Sequence, residues 1–412
     1  MPLIELIDDE DEVMKVLLAN KFFHRNGGSE TVLFQERDFL LENGVEVVDF
    51  SMKDDRNLES PFAAHFVEPV DYEGGGSRLK TAVRFIHSKE AVDKVTTLVR
   101  DTRPDIAHLH NIYHQLTPSI IPALKREGVK VVLTLHDTKL VCPRYLSLCR
   151  ERICDRCQGR DFYHAALANC LDSRLKSLLL TLEAYFHKFR RSYEGVDKFI
   201  APSRFLASKI MNGRPDLGNV DVLANGIDTS TITQSHQDHG YILYFGRLSK
   251  EKGVPTLIAA HQSMKNRPPL KIVGTGPLLE PLKAKHPEIE FTGYKTGYEL
   301  KELISKSSCV VVPSEWYENC SMVVLESMAY GKPVVGSRVG GIPEQVEDDL
   351  TGCLFTMGDS EGLALKLDML MGDSELRKNL GCAARQRLEE KFSLKAHNKG
   401  LMNIYDEVIQ SK

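Results

Sequence analysis

The sequence predicts an α/β protein made of two open, doubly wound parallel-sheet domains whose strand ends face a shared cleft. Three observations predict it. Short β-rich runs alternate with helical patterns from end to end, the runs fall into two series, and a polar stretch over 214–240 separates them. At 412 residues the chain is long enough for two or three domains of about 150 residues.

The first series opens with a strand over 13–19, a helix over 30–42 ended by Asn43-Gly44, and a strand over 45–50, which together make a βαβ unit. Strands over 106–110, 130–135 and 198–201 follow, each leading into Gly, Pro, Asn or Ser before helical sequence resumes. The second series has strands over 241–245, 270–273, 289–292, 309–312, 333–336 and 353–355. The intervening 214–240 is rich in Asn, Asp, Gly, Thr, Ser and His and lacks periodicity, so it is expected to be a linker. This places one domain over 1–218, a second over 219–394, and a C-terminal helix over 395–412 that packs back on the first.

Composition excludes several classes. Hydrophobic residues at 42% and charged residues at 27% rule out collagenous and disordered chains. The 53 Lys and Arg against 57 Asp and Glu leave a net charge of -4, with no global basic footprint for nucleic acid. No run approaches eighteen apolar residues and the first twelve are acidic, so neither a membrane span nor a signal peptide is expected, and 8–12 reads as a solvated tail. Nine cysteines, an odd number, argue against a disulfide framework and for a reducing, cytoplasmic setting.

The most informative segment is an apolar strand, the loop Pro313-Ser314-Glu315-Trp316-Tyr317-Glu318-Asn319-Cys320-Ser321, a helix, and a Gly331-Lys332-Pro333 stop. Asn319 or Ser321 can cap that helix, whose N–H groups and positive dipole end suit a phosphate. Glu318 and Glu326 lie eight residues apart, roughly 80° around a helix axis, and border the same anion site. Carboxylates would repel a phosphate unless they accept from neutral hydroxyls, so the ligand reads as phosphate flanked by sugars. The next strand, loop and helix, 333–345, repeat the device, with Gly340-Gly341 expected to admit a close backbone approach and Pro343 at a helix start. In the first half, Asn26-Gly27-Gly28-Ser29 clears side chains from the path of a phosphate or acceptor, with Ser29 as a cap. His110 and His136 each end a strand whose carboxyl end faces the cleft, so either imidazole is a candidate substrate contact.

Taken in order, Gly27-Gly28-x-Glu30, Asn225-Gly226-Ile227-Asp228, Gly246-Arg247-Leu248 with Lys252-Gly253, Gly274-Thr275-Gly276-Pro277, Glu318-x7-Glu326 and Gly340-Gly341 resemble the retaining nucleotide-sugar glycosyltransferases of family 4. The likeness spans nearly the whole chain. It implies the GT-B architecture of two facing Rossmann-like domains, with 1–218 on the acceptor side and 219–394 binding the donor. It implies that Arg247 and Lys252, following Gly246, grip the donor diphosphate as the glycosidic bond breaks. Glu318 would meet sugar hydroxyls, the amides of Asn319, Cys320 and Ser321 would meet sugar and phosphate, and Glu326 would hold the ribose. Gly274, Thr292 and Tyr294 would lie near the base, with Gly27 and Gly28 close to the donor. By the same likeness His136, rather than His110, sits beside the transferring sugar, where it orients or polarises.

The resemblance further implies a cytoplasmic enzyme that needs no metal for catalysis, with a glycan or lipid-linked acceptor in cell-surface polysaccharide assembly and peripheral membrane contact. Many members carry Gly-Phe-Gly after the first glutamate, whereas this chain has Asn319-Cys320-Ser321, which puts side chains into the sugar pocket. A nucleotide-sugar epimerase or phosphorylase on the same architecture, or a non-catalytic sugar-nucleotide-binding protein, are the alternatives. A nicotinamide enzyme is disfavoured because Gly274-x-Gly276 has Leu279 where the dinucleotide fingerprint needs a third glycine.

Two features stand apart. Cys142, Cys154, Cys157 and Cys170, around one Cys-x-x-Cys and with Cys149 as a substitute, have a spacing compatible with structural zinc, with an iron–sulfur cluster, or with loose thiols. A helix within 172–193 carries Leu175, Leu178, Leu179, Leu182, Tyr185, Phe186 and Phe189 between Arg174, Lys176, Lys188, Arg190 and Arg191. It reads either as a core helix or as a surface that touches anionic membrane.

Overall fold

A computed structural model of the chain describes residues 13–70 and 78–411, and the acidic stretch 8–12 lies outside them. The chain folds into two compact units. Met1–Thr134, His187–Lys198 and Tyr405–Lys412 form the first, and Leu135–Phe186 with Phe199–Ile404 form the second.

The first unit contains β1 (Lys15–Ala19), α1 (Gly28–Glu42), β2 (Glu46–Phe50), α2 (Arg78–Ile86), α3 (Lys89–Thr102), β3 (Ile106–Leu109), α4 (Ile120–Arg126) and β4 (Lys130–Thr134). Its strands run parallel in the order β2-β1-β3-β4, with Val16 opposite Val47 on one side and Ile106 on the other. All four residues of β3 are buried, as expected for a parallel sheet covered on both faces. Helix α1 starts two residues earlier than a Ser29 cap would require: extended Gly27 is the N-cap and Ser29 lies inside the first turn.

The second unit begins with a small ribbon, β5 (Leu148–Cys149) paired antiparallel to β6 (Arg152–Ile153), and continues through α5 (Tyr163–Leu167) and α6 (Arg174–Phe189). Then come β7 (Lys198–Ala201), α7 (Arg204–Gly213) and β8 (Val220–Val222). Strand β8 lies inside the stretch expected to be a linker. Val220 pairs parallel with Phe199, because the alternation Val-Asp-Val suits a strand despite its polar surroundings.

Along α6, Leu175, Leu178 and Leu182 are exposed by 69%, 47% and 50%, so the core-helix reading fails on that face. The opposite face is buried and holds Glu183, whose carboxylate accepts from Lys139 Nζ at 2.7 Å. Among the described residues no helix is long and apolar enough to cross a membrane.

The remaining elements are β9 (Ile242–Phe245), α8 (Val254–Ser263), β10 (Leu270–Val273), α9 (Leu279–Lys285), β11 (Glu290–Gly293), α10 (Gly297–Lys306), β12 (Cys309–Val312), α11 (Met322–Ala329), β13 (Val334–Ser337), α12 (Ile342–Gln345), β14 (Gly352–Phe355), α13 (Ser360–Gly372), α14 (Ser374–Lys391) and α15 (Leu394–Gln410). Six parallel strands lie in the order β11-β10-β9-β12-β13-β14. Side chains alternate across that sheet. Leu243, Phe245, Val310 and Val312 pack with α11 residues Val324, Leu325 and Met328 on one face. Ile242, Tyr244, Cys309 and Val311 pack with Leu257 and Ile258 of α8 and Leu363 and Leu367 of α13 on the other. Because every strand points the same way, their carboxyl ends gather on one edge, where loops can build a site.

Candidate functional site

Strand β12 is wholly buried and delivers the loop 313–321 to that edge. Glu318 is buried there, and its Oε1 accepts from Lys252 Nζ at 2.7 Å, Ser314 Oγ at 2.8 Å and Trp316 Nε1 at 2.8 Å. Burial pushes the Glu318 carboxyl up, but the Lys252 ammonium and the bonds from Trp316 and Ser314 outweigh it and hold the group below its ordinary range. All three donors reach Oε1.

Lys252 comes from a tight turn after β9, and its Nζ also sits 4.7 Å from the Trp316 ring centroid. Gly253 ends that turn with φ 69°, and a Cβ there would meet Pro313 O at 1.8 Å, so only glycine lets the lysine turn lie against the end of β12. Lys252 is thus an ion-pair partner of Glu318 before any ligand arrives. Arg247 differs: it is exposed, its carbonyl accepts from Tyr244 Oη at 2.8 Å, and among the described residues no carboxylate pairs with it.

Glu326, on α11, is half-buried with no ion-pair partner among the described residues. Desolvation alone pushes its carboxyl up to about 7. The two glutamates therefore sit in opposite electrostatic states, one paired with a cation and one without.

The helix entrance differs in detail from the expected cap. Ser321 is the N-cap of α11 but its side chain accepts no helix N–H, and its own amide donates to Gln345 Oε1 at 2.8 Å while Gln345 Nε2 returns a bond to Ser321 O at 3.0 Å. Gln345 Nε2 also lies 3.5 Å from Cys320 Sγ. Asn319 does not cap either: its Nδ2 donates to His136 O at 2.6 Å, and its buried Oδ1 has no partner among the described residues. Gly340-Gly341 admits a close backbone approach, but the visitor is the protein itself. A Cβ on Gly340 would lie 2.1 Å from Glu318 O and one on Gly341 1.8 Å from Asn319 O, and Gly341 N donates to Glu318 O.

Gly246 N donates to Val273 O at 3.0 Å and Gly274 N to Gly293 O at 2.8 Å, which ties the ends of β9, β10 and β11 together. Thr292 is partly buried in β11 and Tyr294, just beyond it, is exposed by 72%. The structure thus brings His136, Gly246, Arg247, Lys252, Gly274, Thr292, Tyr294, Glu318, Asn319, Cys320, Ser321 and Glu326 into one unit, while Gly27 and Gly28 belong to the other.

His110 does not reach outward. It is fully buried, with Nε2 at 3.2 Å from Glu36 Oε2, and the same oxygen lies 3.4 Å from His108 Nδ1. These three side chains offer ligand atoms within 4.8 Å of one another. His108, however, already meets Tyr405 Oη at 2.8 Å and Thr134 Oγ1 at 2.7 Å, bonds that tie β3 to its neighbours. Sequence reasoning missed Ser314, Trp316 and Gln345 as parts of the site. Nothing local marked Gln345, which is one of two polar residues in Ile342-Pro343-Glu344-Gln345-Val346.

Two family models match the chain. One, described as Glycosyltransferase Family 4, covers residues 26–231, and the other, Glycosyl transferases group 1, covers residues 228–387. The N-acetyl-alpha-D-glucosaminyl L-malate synthase of Bacillus anthracis is 31% identical over 337 residues, covering 77% of this chain and 78% of that protein. An uncharacterized glycosyltransferase of Methanocaldococcus jannaschii is 30% identical over 54% of this chain, and the match spans 63% of that protein's length. Among solved structures, a sucrose-phosphate synthase from Thermosynechococcus elongatus superposes with TM-score 0.73 at 18% identity, over 97% of this chain and all of that one. Anabaena HepE in complex with UDP-glucose gives TM-score 0.63 at 17% identity, over 96% of this chain and 100% of that one. At such identities the likeness speaks for the GT-B fold alone, which agrees with the two parallel-sheet units seen here.

Proposed function

The chain belongs to glycosyltransferase family 4, and from that premise we propose that it moves a sugar from a nucleoside diphosphate donor to an acceptor hydroxyl with retention. The observation that carries this reading is the pair of glutamates in opposite states, one held by Lys252 and one without a cation, in the unit that also carries exposed Arg247. A ribose diol offers two neutral O–H donors, the partner that a half-buried carboxylate without a cation prefers. The diphosphate would lie toward Arg247 and Lys252, whose charges suit the leaving group as negative charge grows on it. Glu318 Oε2 and the half-buried Asn319 and Cys320 would face the transferred sugar.

In the transfer, the bond between the anomeric carbon and the phosphate oxygen breaks and a bond to the acceptor oxygen forms on the same face. The acceptor proton passes to the departing phosphate, and the nucleoside diphosphate leaves. The protein's contribution is electrostatic and positional, and His136, whose carbonyl Asn319 holds, would orient the sugar. Uridine diphosphate sugars are the first donors to test, because the Anabaena neighbour was solved with UDP-glucose. A lipid-linked glycan is the proposed acceptor class, since Leu175, Leu178 and Leu182 stand exposed beside Arg174 and Lys176 as an amphipathic helix on an anionic surface would.

Thermal stabilisation by uridine, guanosine and adenosine diphosphates tests the donor, followed by measured release of the nucleotide from its sugar conjugate when acceptor is added. One nucleotide should stabilise the chain, and Glu318→Ala should lower turnover by about ten- to a thousandfold. Stabilisation by none of the three would overturn the reading.

A further inference from the structure

Between β4 and α6 lies a lobe whose charge runs against the rest of the chain. Residues 141–170 hold five arginines and no lysine against Glu151, Asp155 and Asp161, a net charge of +2 in a chain of -4. The cysteines there do not gather as their spacing suggested. Among the described residues no three of Cys142, Cys149, Cys154, Cys157 and Cys170 bring their sulfurs within 4.8 Å of one another, and Cys149, Cys157 and Cys170 pack with Phe162 and Ala165 in a small core. The lobe's chemistry lies instead in its charged rim.

An open cavity of about 730 Å³ is bordered by Arg150, Arg152 and Arg156, together with Ile153, Asp155 and exposed Leu167. The ribbon sets two of the arginines there. Cys149 pairs with Arg152, which leaves Arg150-Glu151 as a two-residue turn with φ 48° and 64°, the left-handed pair of a tight hairpin. All three arginines are exposed and have no ion-pair partner among the described residues. The nearby acids are already engaged. Asp155 Oδ1 accepts from Lys209 Nζ at 2.6 Å and its Oδ2 from Tyr317 Oη at 2.8 Å, while Glu151 accepts from Lys250 Nζ at 2.6 Å. Three like charges on one cavity repel one another, and an oxyanion placed among them turns that repulsion into attraction. Arginine at all three positions suits phosphate or carboxylate, whose oxygens a guanidinium fork meets in pairs.

The cavity also shares a wall with the loop that carries Glu318. Asp155 lines it and bonds to Tyr317, the residue before Glu318, and Ile153 lines it and packs against the core that includes Val324 and Leu325 of α11. Lys250, held by Glu151, opens the turn that carries Lys252.

We propose that this cavity is an anion subsite for the acceptor: Arg150, Arg152 and Arg156 hold a phosphate or carboxylate group of the acceptor while its hydroxyl reaches the sugar beside Glu318. The oxyanion positions the acceptor and takes no part in bond making. The acceptor class is therefore a negatively charged glycan, with the charge on the sugar itself or on the phosphate that joins it to a lipid. The acceptor role rests on the transfer proposed above, whereas the anion site stands on the cavity.

The test uses the full chain and five probes: glucuronate, glucose 6-phosphate and glucose linked to farnesyl diphosphate, with glucose and octyl glucoside as neutral controls. Isothermal titration should find at least one charged probe bound about tenfold or more tighter than its neutral control, and the triple variant Arg150→Gln, Arg152→Gln, Arg156→Gln should abolish that margin. The three positions are exposed, so the variant should melt within about 2 °C of wild type and keep its stabilisation by nucleoside diphosphate. A second measurement needs no variant: raising salt from about 0.05 to about 0.5 M should weaken the charged probe severalfold and leave the neutral ones unchanged. Nucleotide release from the donor should be faster with that charged probe than with its control. Tighter glucuronate or glucose 6-phosphate puts the oxyanion on the sugar, and a tighter farnesyl conjugate puts it on the lipid carrier. Equal binding of charged and neutral probes, a margin that survives in the variant, or binding without faster nucleotide release would overturn the proposal. A chain stabilised by a nucleotide yet indifferent to every charged probe loses this subsite and keeps its donor site. One that binds a charged probe and no nucleotide keeps the anion site and loses the donor reading, and the acceptor role with it.

Discussion

Replacing Glu326 by Gln keeps the shape of the side chain and removes its ionisation, which isolates what the carboxylate does. Desolvation raises the wild-type carboxyl from 4.5 to about 7. At about 1.4 kcal/mol per pKa unit, that gap sets an upper limit of roughly 3 kcal/mol, which partial exposure reduces to roughly 1–2 kcal/mol. A group whose pKa is raised on folding contributes stability that is full below 4.5 and lost as pH rises through about 7. Above pH 7 the wild type carries an ionised carboxylate without a cation, and the amide variant does not. Glu326→Gln should therefore melt roughly 2–6 °C higher than wild type at pH 8, with the difference gone by about pH 5. Donor nucleotide should reverse the order at pH 8, because the diol satisfies the carboxylate and does less for the amide. Thermal melts at both pH values, with and without donor, read this directly. Parallel pH profiles for the two proteins, or equal stabilisation of both by donor, refute the reasoning.

Other perturbations separate binding from folding. Arg247→Ala removes an exposed side chain without an ion-pair partner, so stability should stay within about 0.5 kcal/mol while turnover falls by about ten- to a thousandfold; a matched loss of stability in denaturant melts would contradict the free-guanidinium account. Lys252→Ala leaves Glu318 without its cation and should destabilise by about 1–3 kcal/mol at pH 7, a penalty that fades as pH drops below the usual carboxylate range and Glu318 protonates; a penalty independent of pH would argue against the pair. Gly341→Ala drives a Cβ toward Asn319 O, 1.8 Å away, at an ordinary φ of −86°, and should cost about 1–3 kcal/mol and displace the Glu318 loop; an unchanged melting curve would mean that the loop yields freely. Vesicle flotation should show salt-sensitive binding that Leu178→Asp abolishes, and binding unaffected by that change would discount the exposed face of α6.

The sheets were legible because a parallel strand buried on both faces is a short continuous apolar run. Cys309–Val312 and Leu270–Val273 were read to the residue for that reason. Strand β8 was hidden because Val220–Val222 is short and flanked by polar residues. At the site, the residue types and the order of motifs were readable, but the partners were not. Lys252 and Glu318 are 66 residues apart, and nothing local says that the lysine is already paired before a phosphate arrives. Gly340-Gly341 shows the same limit, since a glycine that makes room for a ligand and one that makes room for the Glu318 backbone leave the same mark in a sequence. Cap residues misled in a related way: Asn319 has the right chemistry, but its amide donates to His136 O, and Ser321 stands at the N-cap without its side chain accepting a helix N–H.

The most direct measurement is a crystal structure of the chain soaked with the uridine diphosphate sugar that stabilises it best. The account predicts the ribose hydroxyls on Glu326, the diphosphate between Arg247 and Lys252, and the sugar against Glu318 Oε2. A nucleotide bound with its ribose away from α11 and its phosphates beyond reach of Arg247 would contradict it.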